Sequence, residues 1–220
     1  MYHYALDTET TGLHHTDGDR IIEIAVVEIC DHKLTGRSFH TLINPQGREI
    51  KYGSYNVHKI SAEMLADAPT FGEIYPDLVE FFSPGQLVIH NKAFDLGFLA
   101  AEAKLCGVSF PFDAIDTIDL ARQKWPGTQV GLDALCRRLN IPRDAASLTQ
   151  LCADIRLDRA VEIHNRSERH SAIIDTLLLA QVYIAMVQTR ELDLSSAHAN
   201  AARPWPFRDQ HLTAAPLILD

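Results

Sequence analysis

Three short acidic signatures stand in order along the chain: Asp7-Thr8-Glu9-Thr10-Thr11-Gly12, Asn91-Lys92-Ala93-Phe94-Asp95, and His170-Ser171-Ala172-Ile173-Ile174-Asp175. Carboxylates from all three, brought into one pocket, would repel each other strongly unless divalent cations neutralised them, so the pattern implies ions as well as residues. A histidine beside such a cluster supplies what metal-bound carboxylates cannot, because it takes a proton from water near neutral pH.

Each signature has a plainer reading by itself. Asp7 to Thr10 fits turn and capping chemistry, Asn91 is a good helix cap with Asp95 in the first turn, and an isolated histidine is commonly a polar loop residue. The last signature is the most restrictive. Ile173, Ile174, Leu177, Leu178, Ala180, Gln181 and Tyr183 mark a largely buried helix, yet Asp175 lies inside it with no lysine or arginine one turn away on either side. A buried carboxylate without a partner is costly, so something must neutralise it. Five residues apart in an ideal helix, His170 and Asp175 would differ by about 140° around the axis. His170 is therefore expected on the loop before the helix, free to move relative to Asp175.

The elements that must position these residues follow from periodicity and punctuation. Tyr2 to Leu6 reads as a strand ending at Asp7, and in extended backbone Asp7 and Glu9 share a face, with Thr10, Thr11 and Gly12 turning the chain away. Ile21 to Ile29 and Arg37 to Ile43 read as a hairpin closed by Asn44-Pro45. Thr70 and Glu73 form a capping box before Phe71, Ile74, Leu78 and Phe81 at helical spacing. Leu87 to Ile89 is a short buried strand, Ala93 to Cys106 a helix stopped by Gly107, and Ala114 to Thr117 a further strand. Helices follow near Ile118 to Trp125, Leu132 to Leu139 and Ser171 to Val187. Three strands and then helices alternating with strands give an α/β fold, a mixed sheet covered by helices on both faces.

Between Asn140 and Arg169 the pattern weakens. Seven arginines fall between Arg137 and Arg169, which fits either a solvated helical face or a nucleic-acid contact. After Arg190 the composition shifts to Ser, Ala and Pro, so residues 1–190 are read as the folded domain and 191–220 as a tail.

The chain of 220 residues, 46% hydrophobic with a net charge of −9, fits one α/β domain with an appendage. The acidic balance argues against a protein that grips nucleic acid by a broad basic surface, but not against an enzyme that holds a polyanion at its reacting phosphate through metals. Cys30, Cys106, Cys136 and Cys152 lack paired spacing and read as reduced, buried thiols. No apolar run approaches a membrane span, and the N-terminus enters a strand at once with no signal-like region, so a cytoplasmic protein is expected.

Taken together and in this order, the D-x-E-T-T-G, N-x-x-x-F-D and H-x-x-x-x-D motifs resemble the DEDD exonuclease superfamily, in the subclass with histidine five residues before the last aspartate. The likeness runs from about Tyr2 to Met186. Ile22 to Glu28, Val57-His58-Lys59-Ile60, Leu87 to Asn91, Pro126-Gly127 and Leu132 to Cys136 are similar to the proofreading epsilon subunits of bacterial DNA polymerase III. The resemblance implies a ribonuclease H-like sheet of five strands with the second antiparallel to the rest, and 3′–5′ hydrolysis of DNA by two divalent cations, Mg²⁺ or Mn²⁺. It implies that Asp7, Glu9, Asp95 and Asp175 bind the ions and that His170 is the general base. The same resemblance implies that Thr10, Val57, His58, Asn91 and Phe94, with Asp7, Glu9 and Asp175, contact the terminal nucleotide. For Phe94, core packing is an equal alternative. Gly53 stands where the family usually has a glutamate, and the stretch from Cys136 to His170 is longer than usual.

The implied partners are a DNA 3′ end and the polymerase III catalytic subunit. Glu191-Leu192-Asp193-Leu194-Ser195 faintly resembles peptides that dock on sliding clamps. An RNA-processing or stand-alone repair exonuclease of the same superfamily, and a non-catalytic polymerase scaffold, are the competing readings.

Overall fold

The computed structural model describes residues 1–82, 84–153, 155 and 170–201, with the backbone alone for 189–201. The strands are β1 (Tyr2–Thr10), β2 (Ile21–Cys30), β3 (Lys33–Leu42), β4 (Gln86–Ile89) and β5 (Ala114–Asp116), in the sheet order β3-β2-β1-β4-β5. β2 runs antiparallel to both β1 and β3, while β1, β4 and β5 are parallel to one another. The expected five-stranded ribonuclease H-like sheet is therefore observed, its second strand reversed.

The β2–β3 hairpin closes tightly. Asp31 and His32 both take positive φ, at 48° and 62°, as a two-residue turn matched to strand twist requires. β3 consequently starts at Lys33 rather than Arg37. Gly36, at φ 88°, lies where the β2–β3 register shifts between Val27 and Ile29, so the glycine that reads as a break is a bulge inside the strand.

The helices are α1 (Tyr52–His58), α2 (Ala62–Leu65), α3 (Phe71–Phe81), α4 (Lys92–Leu105), α5 (Thr117–Lys124), α6 (Leu132–Arg138), α7 (Ala145–Ala153) and α8 (Ala172–Ala201). The capping box before α3 is present, Glu73 Oε2 accepting from Thr70 N at 2.7 Å and Thr70 Oγ1 at 2.8 Å. Helices α1, α2 and α7 have no clear periodic signal, because short helices bury too few residues to show one. The backbone of α8 continues past Val187 to Ala201, through the start of the segment whose composition reads as tail.

Two apolar layers sandwich the sheet. Ala5, Ala25, Val27 and Val88 pack with Leu135, Leu148, Ile173, Leu177 and Leu178 on the α8 side. Tyr4, Leu6, Ile24 and Val26 pack with Phe71, Leu78, Phe98 and Leu99 on the other. The residues of β1 alternate between these layers, as the pleat dictates. All four cysteines are free, but contrary to the expectation that every thiol is buried Cys30 is only half-buried at the end of β2 and Cys106 is exposed past the end of α4.

Helix α4 is clasped to the sheet by charge as well as by apolar packing. Glu102, buried on the inner face of α4, receives Arg20 Nε at 2.8 Å, Arg20 Nη2 at 2.7 Å and the Ile21 amide at 3.0 Å. Removing one partner of a buried pair leaves the other charge uncompensated. Glu102→Ala is expected to lower unfolding stability by roughly 3 kcal/mol, to be measured by denaturant titration against the wild-type chain.

Candidate active site

Strand β1 carries the first two carboxylates to the sheet edge where the parallel strands end, the usual place for a site in an α/β sheet. It runs to Thr10 instead of ending at Asp7, staying paired with β2 and shifting register between Glu9 and Thr10. Such a bulge re-aims the side chains beside it. Asp7 and Glu9, both half-buried, follow Ala5 toward α8, whereas Thr8 follows Leu6 toward α4.

His170 and Ser171 precede α8, so the histidine is outside the helix as its spacing requires. Its ring nevertheless meets the aspartate: His170 Nδ1 lies 3.2 Å from Asp175 Oδ2. Ligand atoms of Glu9, His170 and Asp175 fall within 4.8 Å of one another. His170 is not loose in this arrangement, because its amide donates to Val57 O at 3.1 Å and ties the loop to α1.

Asp95 arrives from the opposite layer, in the first turn of α4. Its Oδ1 accepts from Thr8 Oγ1 at 2.7 Å, so the residue between the two β1 carboxylates reaches the third. Burial pushes the Asp95 carboxyl up to about 7, against the hydrogen bond from Thr8, which pulls it down. Asn91, at the N-cap position of α4, has φ 68° and ψ 57° and makes no side-chain cap. The capping is done instead by Asp116 at the end of β5, which accepts from Asn91 N at 3.2 Å and Lys92 N at 3.0 Å. Among the described residues the tight trio includes neither Asp7, on β1, nor Asp95, on α4.

A cavity of about 480 Å³ opens next to the trio, and Glu9, Thr10, Val57, His58 and Phe94 line it together with Leu13, Lys51 and Ser54. Asp7, Asn91 and Asp175 are not among its lining residues. Gly53 is at its wall, and a Cβ there would meet nothing within 4 Å. Phe94 lines the cavity, and its ring sits 4.9 Å from that of Phe98. His58 is buried, with Nδ1 accepting from Ile60 N at 3.0 Å. A second hollow of about 510 Å³, between Asn44 and Ala66, contains none of the motif acids.

The cavity rim is shaped by an ion cluster that the motifs do not disclose. Asp19, with its side chain wholly buried, pairs with Arg48 at 2.7 Å and Lys51 at 2.6 Å. Burial works to raise the Asp19 carboxyl, but the bonds from Lys51 and Arg48 outweigh it and hold it below the ordinary carboxylate value. A Cβ on Gly12 would lie 2.1 Å from Asp19 Oδ2, so the glycine of the first motif is required by close approach of this buried acid. Glu23, His40 and Ser171, which brace the start of α8, are also missed by motif reading. A glutamate at the centre of the apolar run Ile21–Ile29 is the signal that could have found the first. The arginines Arg156, Arg159, Arg166 and Arg169 lie outside the described residues.

These features agree with what is known of similar proteins. The family model described as Exonuclease matches residues 4–183, and the chain belongs to that family; it is a 3′–5′ exonuclease. The chain is 39% identical over 194 residues to the DNA polymerase III subunit epsilon of Rickettsia felis, covering 84% of this chain and 74% of that one. It is 35% identical over 190 residues to the subunit of the same name from Escherichia coli, covering 82% and 69%. Its fold resembles exonuclease X in complex with 5′ overhanging duplex DNA, with a TM-score of 0.62, 25% identity and coverage of 86% and 93%. It also resembles the nuclease domain of 3′hExo, a DEDDh family member, with a TM-score of 0.67 at 17% identity, covering 86% and 92%. Exonucleases of this family use divalent metal ions. Among the described residues no helix is long and apolar enough to cross a membrane.

The donor set suits such ions. Carboxylate oxygens of Glu9 and Asp175 lie together with a His170 nitrogen, and a buried acid raised to about 7 is one that a cation would bring back to its charged form. Between an unfolded value near 3.8 and the folded value of about 7, Asp95 carries a proton in the native state that the unfolded chain has lost. Its contribution is therefore fully present below the unfolded value and is lost as pH rises through the folded one. With chelator present, the melting temperature of the wild-type chain relative to Asp95→Asn is expected to fall between pH 4 and pH 8. Excess Mn²⁺ at pH 8 should restore it. Thermal unfolding of both chains across that range checks this.

Proposed function

We propose that this chain removes mispaired nucleotides from the 3′ end of DNA as the proofreading component of a bacterial replicative polymerase. The observation that supports this reading best is the convergence of Glu9, His170 and Asp175 within 4.8 Å, beside a cavity lined by Glu9, Thr10, Val57, His58 and Phe94, five of the eight residues the family resemblance assigns to the terminal nucleotide.

In this reading Asp7, Glu9, Asp95 and Asp175 hold two divalent cations, Mg²⁺ or Mn²⁺, since oxygen-only carboxylate ligands favour hard ions. When bound, such ions stabilise negative charge on the attacking and leaving oxygens of a phosphodiester. The protein's own groups do the rest. Asp175 orients the His170 ring through Nδ1, which leaves Nε2 to take the proton of the attacking water. Phe94 offers a ring face to the terminal base, the buried His58 backs the wall of its site, and Thr10 and Val57 define its edges. Release of a nucleoside 5′-monophosphate follows from attack at the last phosphate.

The relatives' name, DNA polymerase III subunit epsilon, points to the polymerase III catalytic subunit as the partner. Residues 1–190 would then be the exonuclease domain and 191–220 the segment that binds the polymerase or the sliding clamp. Tethering of this kind suits an enzyme of net charge −9, because it raises the local concentration of a primer end without new active-site contacts.

Asp7→Ala is expected to abolish mononucleotide release, and His170→Ala to lower turnover by about 10²–10⁴ with primer binding largely kept. Rates on mispaired primers, matched primers and short RNA under Mg²⁺, with and without EDTA, check the reading. Full activity in excess EDTA, or preference for RNA, would overturn it. Deleting residues 191–220 should preserve hydrolysis of short single strands and remove co-elution with the polymerase catalytic subunit. Unchanged co-elution on size exclusion would place the docking surface on residues 1–190.

A further inference from the structure

Glu23 is a buried acid that the proposed chemistry does not use. On β2 it stands directly opposite Glu9 of β1, so both side chains emerge on the α8 side of the sheet. Two carboxylates so placed repel each other unless one is fully occupied elsewhere. Glu23 is occupied. Its Oε2 accepts the amide of Ala172, the first residue of α8, at 3.0 Å, and its Oε1 accepts from Ser171 Oγ at 3.1 Å. On the other side His40 Nε2 lies 2.7 Å from Oε1, and since a carboxylate only accepts, that nitrogen is the donor.

These bonds act on one short piece of chain. Ser171 and Ala172 join His170 to the helix that carries Asp175, and the Ser171 carbonyl accepts the Asp175 amide at 3.0 Å. The Ala172 amide is one of the orphan donors at the start of a helix, where negative charge is favoured. Glu23 therefore fixes the height and rotation of the first turn of α8, and His40 on β3 holds Glu23 in that orientation from behind. Val57 O fastens His170 from the other side. The catalytic loop is gripped between α1 and β2.

We propose that Glu23, held by His40, is a positioning residue for the reaction: it seats the 170–172 segment so that His170 and Asp175 meet Glu9. It touches neither substrate nor reacting atoms. The inference rests on the assignment of His170 and Asp175 made under Proposed function.

The test compares wild type with Glu23→Ala, Ser171→Ala, the double variant Glu23→Ala/Ser171→Ala, His40→Ala and His40→Gln, the last of which keeps a donor toward Glu23. Turnover, KM for a mispaired primer, melting temperature and amide exchange across residues 170–175 are measured well below unfolding. Glu23→Ala is expected to lower kcat at least tenfold with KM changed less than threefold, and to speed exchange of the 170–175 amides while distant core amides stay protected. His40→Ala should follow in kcat, His40→Gln should recover most of it, and the double variant should fall no further than Glu23→Ala alone. Should Glu23→Ala fail to fold, the two His40 variants and Ser171→Ala carry the same comparison. Unchanged kcat with a lowered melting temperature would overturn the proposal by showing a merely structural acid, and so would a raised KM with kcat intact. A wild-type chain without hydrolysis would instead sink the assignment of the site, and the exchange pattern would still read the grip on the loop.

Discussion

The seating of α8 across the sheet is the constraint on which the site depends. Its residues from Ala172 to Met186 are buried nearly all round, against β1 and β2 on one side and the shorter helices on the other. An all-round apolar helix has one stable place, between two layers, and that place brings Asp175 to the end of β1 where Glu9 emerges. A rotation of one residue, about 100°, would bury the aspartate among leucines and carry His170 away from it. Packing thus supplies the precision that carboxylate ligands by themselves cannot, and hydrogen bonds at the helix start fix what packing leaves loose.

Four of the buried acids divide into two groups by how their charge is met. Glu102, Asp19 and Glu23 are each given protein donors: an arginine fork, an arginine with a lysine, and a helix amide with a hydroxyl and an imidazole. Each of them braces a segment that carries a site residue. Glu102 holds α4, Asp19 holds the loop after β1 against α1, and Glu23 holds the start of α8. Asp95 is met by the Thr8 hydroxyl and by the backbone of Thr8 and Asp95, and burial still pushes its carboxyl up to about 7. Supporting acids met by protein donors, and a buried acid whose hydrogen bonds do not offset its burial, are the two electrostatic conditions under which a divalent ion would choose the proposed site over its surroundings.

Much of this was legible in the residues. The i, i+2 spacing of Asp7 and Glu9, the placement of His170 outside the last helix, and the strand-then-helix order all follow from backbone periods of 2.0 and 3.6, which are local properties of the chain. The antiparallel pairing of β2 with β3 follows from their hairpin, whereas the reversal of β2 against β1 was implied by the family resemblance alone. Less legible were the short helices α1 and α2 and the left-handed backbone of Asn91, since each is stabilised by contacts remote in sequence. The two-residue turn at Asp31 and His32 shifted the start of β3 for a local reason that the polar triplet concealed.

What the sequence determined was the set of candidate reacting groups and the face of each element on which they lie, because side-chain type and backbone period need no partner to be read. What only the tertiary structure decided was which of them meet. Thr8 is an unremarkable residue between two acids until the pleat turns it toward α4 and Asp95. Glu23 reads as a flaw in an apolar strand until β1, β3 and α8 close around it. His170 reads as a mobile base until Val57 and Asp175 hold it. These relations join residues up to 149 positions apart, and only burial, which removes water as the alternative partner, makes them specific.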